Sequence, residues 1–122
     1  MGVLGVNHLA FRTPDPDRLR RFYVELTGAD ELEGERAPVR VGQTVLVFFA
    51  SSDTAVPVDP DEIAFDVDSA GFEEVLRRAR AFGCEIRGPV EHSAVSRGFY
   101  LSDPDGRRLE FIHQDPGTFW RE

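Results

Sequence analysis

The stretch NHLAFR, residues 7–12, returns as DEIAFD at residues 61–66, in the second half of the chain. Both copies alternate in the manner of a strand that buries one face. Each copy is followed by the start of a helix, at Asp15 in the first half and at Ser69 in the second. The echo therefore predicts one structural unit that occurs twice along the chain.

Both predicted helices carry their own start and stop signals. In the first, Asp15 is the expected N-cap, Pro16 takes the first helical position and Gly28 ends the helix. In the second, Ser69 is the expected N-cap and Gly83 the stop. Apolar residues at helical spacing predict the buried faces, which are Leu19, Phe22, Tyr23 and Leu26 in the first helix and Phe72, Val75, Leu76, Ala79 and Phe82 in the second.

Three short strand-like runs follow each helix. They cover about 30–33, 36–41 and 44–50 in the first half, then 84–88, 97–102 and 107–113 in the second. The sequence DPDG at 103–106 is a strong turn signal between the last two runs. Each half therefore reads β-α-β-β-β, and the predicted fold class is α+β. Since neither sheet could bury its helix-covered face alone, we expect one domain over 1–122, with modules at about 1–57 and 58–122 linked near 57–60.

Composition narrows the class of protein. With 122 residues, 41% of them hydrophobic and 30% charged, the chain fits one globular domain. The single cysteine, Cys84, excludes an intramolecular disulfide framework, and no secretory signal or membrane-length apolar run is visible, so we expect a cytoplasmic protein. The net charge of −8 argues against nucleic acid as a partner and favours cationic or neutral small molecules.

Strand parity points to a polar site. Successive side chains of a strand lie on opposite faces, so in three of the predicted strands one face is purely apolar and suits packing under a helix. The opposite face carries His8, Glu62 and Glu110, one in each strand. The sequence thus predicts a polar, concave site on the face away from the helices.

The same strands carry a resemblance to a known family. The pattern His-[Leu/Ile]-Ala-Phe at 8–11, its internal echo and the closing DPDGRRLEF at 103–111 resemble the vicinal oxygen chelate superfamily over about residues 4–115. That superfamily includes glyoxalase I, extradiol dioxygenases, fosfomycin-resistance proteins and bleomycin-binding proteins. The resemblance implies two βαβββ modules that form one domain, with curled mixed sheets around a central cleft that holds a divalent metal.

Carried over to this chain, the metal ligands of that superfamily fall on His8, Glu62 and Glu110. The fourth ligand position of glyoxalase-type members falls on Val47, which cannot ligate, so the implied site keeps open positions, as a catalytic metal requires. Many three-ligand members have histidine where Glu62 stands. One imidazole and two carboxylates suit Mn²⁺, Mg²⁺, Fe²⁺ or Zn²⁺. The set departs from the usual 2-His-1-carboxylate triad, which argues against an iron dioxygenase.

The segment VEHSAVSRGFY at 90–100 is similar to the stretch before the last hairpin in small catechol-dioxygenase-like members. In extradiol dioxygenases a histidine and a tyrosine upstream of the glutamate ligand contact the substrate. His92 and Tyr100 stand 18 and ten residues before Glu110. The resemblance therefore implies His92 as a general acid or base and Tyr100 as a hydrogen-bond donor to a bound oxygen.

Each of these residues also has a structural interpretation. His8 could be a partly buried histidine that is hydrogen-bonded to backbone, and Glu62 a solvated strand end. His92 could be a solvated loop residue, and Tyr100 an aromatic that fills the core. His113 has the opposite parity to Glu110, so we expect it outside the site.

Two functional hypotheses follow. The first is a metal-dependent enzyme whose cation binds two oxygens of a small organic substrate, acting as a dioxygenase, lyase or isomerase. The second is a metal-free protein that binds a drug or metabolite, as bleomycin-binding relatives do, and Val47 and Glu62 favour it. His8 and Glu110 together favour the enzyme. Members of this length commonly pair, so the resemblance also implies a homodimer.

Overall fold

A computed structural model of the protein describes residue 2 and residues 7–34, 37–51 and 62–115. The chain divides into two compact units, Met1–Pro57 and Val58–Glu122, and each is described by itself below. The predicted link at 57–60 lies outside the described residues.

The first unit contains one helix and a four-stranded sheet. Its elements are β1 His8–Thr13, α1 Pro16–Thr27, β2 Asp30–Glu31, β3 Val39–Val41 and β4 Thr44–Ala50. The strand order is β1-β4-β3-β2, with β1 parallel to β4 and the other pairs antiparallel. The sheet is therefore mixed, and its parallel pair is joined through the helix and the short strands.

The second unit repeats this arrangement. Its elements are β5 Glu62–Asp66, α2 Ser69–Phe82, β6 Arg87–Ser93, β7 Ser96–Ser102 and β8 Arg108–Gln114. The strand order is β5-β8-β7-β6, with β5 parallel to β8. The α+β class and the two βαβββ modules are thus confirmed.

The first helix begins and ends where the sequence predicts. The side chain of Asp15 accepts a hydrogen bond from the Arg18 N–H at 3.1 Å, and Pro16 takes the first helical position. Gly28 adopts φ 70° and donates its N–H to the Val24 carbonyl, a left-handed cap that favours glycine. The apolar face is buried with the sheet beneath it, and the core of this unit comprises Phe11, Leu19, Phe22, Tyr23, Leu26, Val39, Leu46 and Phe48.

The second helix differs from the prediction at its N-cap and at the last residue of its apolar stripe. Its N-cap is Asp68 rather than Ser69, because the Asp68 carboxylate accepts the Gly71 N–H at 2.6 Å. Phe82 is 42% exposed, whereas the rest of the predicted stripe is buried. It lies in the last turn, beside the left-handed cap at Gly83. The core of this unit comprises Phe72, Val75, Leu76, Ala79, Phe99, Leu101, Leu109 and Phe111.

The strand after α2 begins later than predicted. No strand covers 84–86, because the Cys84 N–H donates to the Ala79 carbonyl at the end of the helix. The strand β6 runs instead through Arg87–Ser93, so His92 lies on a strand and not in a loop. In the first unit the edge strand β2, Asp30–Glu31, is shorter than the run predicted at 30–33.

The predicted turn between β7 and β8 is confirmed. Asp103 accepts two backbone N–H groups with its side chain, those of Asp105 and Arg107, each at 2.9 Å. Gly106 has φ 90° and donates to the Asp103 carbonyl. This turn fixes the register that sets Tyr100 opposite Glu110. No helix in the described part of the chain is long and apolar enough to cross a membrane.

Candidate functional site

The sheet of the second unit has one apolar face and one polar face. Leu101, Leu109 and Phe111 are buried on the apolar face. The opposite face borders a cavity of about 560 Å³, to which all four strands contribute. Its lining residues are Glu62, Ala64, Asp66, His92, Ser93, Ser96, Tyr100, Glu110, Ile112 and Gln114. The alternation predicted for β5 and β8 therefore sets Glu62 and Glu110 on one surface.

Glu110 is the buried acid of this cavity. In the register of the sheet it lies between Ala64 of β5 and Tyr100 of β7, and its side chain is only 6% exposed. Its Oε2 is 2.7 Å from Nε2 of His92, which is a short hydrogen bond. A carboxyl group removed from water at this depth needs such a partner, because burial without one is costly.

His92 reaches Glu110 from the edge strand β6 and is 33% exposed. Its Nε2 also lies 3.5 Å from the Tyr100 hydroxyl. The His92 and Tyr100 rings meet edge to face, with centroids 6.2 Å apart and planes at 88°. The three side chains predicted from the segment before the last hairpin and from the closing strand therefore form one cluster.

Tyr100 has a perturbed ionisation. Burial first, then the hydrogen bond and the negative charge of Glu110, raise the pKa of the Tyr100 phenol above its ordinary value. Glu62 contributes in the same direction, and Arg108 opposes the shift. A raised pKa keeps the phenol protonated at neutral pH, so Tyr100 is suited to donate a hydrogen bond.

The cavity is strongly acidic. Three carboxyl groups line it, those of Glu62, Asp66 and Glu110, and no lysine or arginine does so among the described residues. Glu62 is exposed, unlike Glu110. Carboxylates grouped on one concave surface focus a negative potential, which attracts cations.

His8 belongs to the first unit. It is exposed at the start of β1, and its Nδ1 donates a hydrogen bond to Oδ1 of Asn7 at 2.8 Å. Val45 is its neighbour across the sheet, while Val47 pairs with Ala10 two residues along the same face. His8 is therefore exposed and hydrogen-bonded to a side chain, which differs from the structural interpretation of a partly buried histidine hydrogen-bonded to backbone.

His113 lies outside the cavity, as its parity predicts. Its Nδ1 donates to the Val67 carbonyl at 3.0 Å, and its Nε2 is 3.5 Å from Asp115 Oδ1. The hydrogen bond of His113 links β8 to the residue that follows β5, so its role is structural.

The chemistry of the second unit fits part of a divalent metal site. It supplies buried and exposed carboxylate oxygens and an imidazole nitrogen, which are the donors that Mn²⁺, Fe²⁺, Zn²⁺ and Mg²⁺ accept. The described residues contain no ready group of three or more His, Cys, Asp or Glu side chains that could hold an ion. The ligand set of His8, Glu62 and Glu110 accordingly stays a prediction.

Sequence reasoning missed one residue of this site, Gly98. It lies in the middle of β7, and a Cβ atom on it would come 3.0 Å from Nε2 of His92 and closer still to Oε2 of Glu110. A glycine inside a strand often marks a close approach of other groups, so the signal was present in the sequence.

Comparison with known proteins decides the family. The model of the Glyoxalase/Bleomycin resistance protein/Dioxygenase superfamily matches residues 5–111 of the chain. The chain belongs to this superfamily. The match covers both modules, and it confirms the resemblance that the repeated strand and the closing DPDG strand indicate.

Several solved structures share the fold of this chain. Oxidase ChaP-H1 is 28% identical with a TM-score of 0.77, and the match covers 92% of this chain and 97% of that protein. Oxidase ChaP-H2 is 24% identical with a TM-score of 0.77, over 95% and 98% of the two chains. The fosfomycin resistance protein FosX from Mesorhizobium loti is 22% identical with a TM-score of 0.72, over 92% and 93%.

Proposed function

We propose that this superfamily member is a metal-dependent enzyme that acts on a small organic substrate through two of its oxygens. The observation that carries the proposal is the cluster of Glu110, His92 and Tyr100 in an acidic cavity. There, a buried carboxyl group, an imidazole and a protonated phenol meet within hydrogen-bonding range. Titratable side chains that line a cleft and have a pKa perturbed by burial and a specific partner are frequent at functional sites.

In this proposal His8, Glu62 and Glu110 hold a divalent ion, with Mn, Fe, Zn or Mg as the candidates. When bound, the ion supplies Lewis acidity toward the two substrate oxygens. Glu110 is the best supported of the three ligands, because its carboxyl group is buried and faces the cavity.

The remaining roles belong to His92 and Tyr100. His92 Nε2 lies between a carboxylate oxygen and a phenol oxygen, so it can hold a proton there and pass it to or from the substrate. Tyr100 remains a donor at neutral pH and can orient a substrate oxygen by a hydrogen bond. Ile112 and Ala64 give the cavity an apolar floor between these polar groups.

The reaction class is a dioxygenase, a lyase or an isomerase. The 28% identity to Oxidase ChaP-H1 supports oxidative chemistry, as does the His92 and Tyr100 pattern. Glu62 favours the other classes, because it replaces the second histidine of the usual iron triad.

A second candidate function rests on the charge of the cavity. Three carboxyl groups with no basic lining residue in the described part of the chain would also attract an organic cation. A metal-free protein that binds a cationic drug or metabolite, like the bleomycin resistance proteins of the superfamily, would use the same surface.

One experiment separates the two functions. Protein stripped with a chelator is reloaded with one ion at a time and tested on catechols and enolisable carbonyl compounds, by oxygen consumption and by loss of substrate. We expect turnover only after reloading, with His92→Ala lowering it by about 10²- to 10⁴-fold as expected for loss of a general acid or base. Glu91→Ala is the control, since Glu91 neighbours His92 on β6 without lining the cavity.

Two outcomes would contradict the enzyme proposal. If turnover is equal in stripped and reloaded protein, the reaction does not depend on a metal and the proposed metal-dependent enzyme is wrong. Calorimetric binding of cationic drugs by stripped protein, with no turnover under any ion, would favour the binding protein instead.

The state of the whole chain is also proposed. We infer that residues 1–122 form one domain, that two chains pair as a homodimer, and that the protein works in the cytoplasm with a small molecule as its partner. A single cysteine and a net charge of −8 support the last two points. Light scattering during gel filtration would test the dimer, which predicts twice the 13.7 kDa mass of one chain.

A further inference from the structure

Gly98 occupies the cavity face of β7, between Ser96 and Tyr100. It pairs with Ile112 of β8 on one side and with Val90 of β6 on the other. The seven described glycines with positive φ do not include Gly98, so its backbone adopts a conformation open to any residue. The need for glycine here must come from space and not from backbone conformation.

The space beside Gly98 is filled by the side chains of Glu110 and His92. An ideal Cβ built on Gly98 would lie 3.2 Å from Cδ of Glu110 and 3.0 Å from Nε2 of His92, and nearer still to Oε2 of Glu110. Real Cβ atoms almost never approach other atoms this closely, so a side chain here would force the carboxyl group to move.

We infer that Gly98 is a positioning residue, whose missing side chain lets the Glu110 carboxyl group and the His92 imidazole meet over β7. The effect on metal binding rests on the function proposed above, whereas the effect on the Glu110–His92 contact does not.

The fold should tolerate Gly98→Ala. The clashing atoms are the far ends of two side chains rather than backbone, and both have freedom to turn away. Moving Oε2 would, however, break its 2.7 Å hydrogen bond with His92. The variant should therefore keep its sheet and lose the arrangement of the cluster.

The test combines Gly98→Ala with a compensating change. Glu110→Asp withdraws the carboxyl group by about one carbon–carbon bond, roughly 1.5 Å, which relieves the overlap with the new methyl group. The effect of Gly98→Ala should thus be large with Glu110 present and small in the Glu110→Asp background. Gly71→Ala is the matched control, because Gly71 also lacks a positive φ and lies in α2 beside Asp68.

Two measurements read the result. The ring ¹⁵N and ¹H signals of His92, recorded by NMR on chelator-treated protein, report the contact with Glu110 directly. Co²⁺ titration followed by absorption reports the metal site, where loss of a neighbouring partner typically weakens binding by about 10- to 100-fold. We expect Gly98→Ala to change both measurements and Gly71→Ala to change neither.

Each failure has a separate meaning. Unchanged His92 signals in a folded Gly98→Ala protein would overturn the positioning role. Wild-type protein that binds no Co²⁺ would overturn the metal proposal, and the His92 signals would still decide the role of Gly98. If Gly98→Ala does not fold, restored folding in the double variant supports the role and continued misfolding overturns it.

Discussion

The environment of Tyr100 raises the pKa of its phenol, which can be measured directly. Its raised pKa comes first from burial and then from Glu110, so in chelator-treated protein it should titrate above the value of about 10 for a free tyrosine. The chain has only one other tyrosine, Tyr23, which is fully buried. The absorbance at about 295 nm, titrated in wild type and Tyr100→Phe, isolates Tyr100 by difference.

The same shift predicts the pH dependence of stability. A folded-state pKa above the unfolded one means that the folded chain binds the proton more tightly, so this stabilisation is complete below about pH 10. It is lost as the pH rises through the folded-state pKa of Tyr100. The free energy of unfolding should therefore fall more steeply in wild type than in Tyr100→Phe between about pH 10 and the folded-state pKa of Tyr100. Equal slopes would show that Tyr100 is not perturbed.

At the scale of the element, the start of α2 offers a direct comparison of two neighbouring residues. Asp68 accepts the Gly71 N–H, and Ser69 is the first helical residue. We expect Asp68→Ala to lower the free energy of unfolding by about 1 kcal/mol, and Ser69→Ala to leave it nearly unchanged, because Ser69 is not the cap. Urea denaturation measures both free energies. A larger loss from Ser69→Ala would show that Ser69 is the N-cap, as the sequence analysis predicts.

The elements also show which parts of the fold and of the candidate site could be predicted from the sequence. The doubled βαβββ order was readable because strand alternation, helix spacing and the stops at Gly28 and Gly83 are local signals. The start of β6 could not be predicted in this way, because it depends on the Cys84 N–H, which donates a hydrogen bond to the Ala79 carbonyl at the end of α2. The contact of His92 with Glu110 could not be predicted from local signals either, since their strands, β6 and β8, are separated by β7 in the sheet.

At the scale of the whole molecule, the proposal of one domain predicts coupled unfolding of the two units. Leu26 and Leu101 are fully buried in the first and second unit, and Leu→Ala at such sites costs about 2–5 kcal/mol. In one cooperative domain, either substitution should lower hydrogen-exchange protection equally in both units. Protection that falls only in the substituted unit would show two independent domains.

The central claim is that the acidic cavity of the second unit binds a divalent metal through Glu110. The most direct test is elemental analysis of protein purified without chelator or metal-affinity resin, as wild type, Glu110→Gln and Glu91→Gln. Glu91→Gln removes the same charge from β6 at a residue outside the cavity. We predict about one divalent ion per chain in wild type and Glu91→Gln, and none in Glu110→Gln. No ion in wild type, even after incubation with Mn²⁺, Fe²⁺, Zn²⁺ or Mg²⁺, or an ion retained by Glu110→Gln, would contradict the claim.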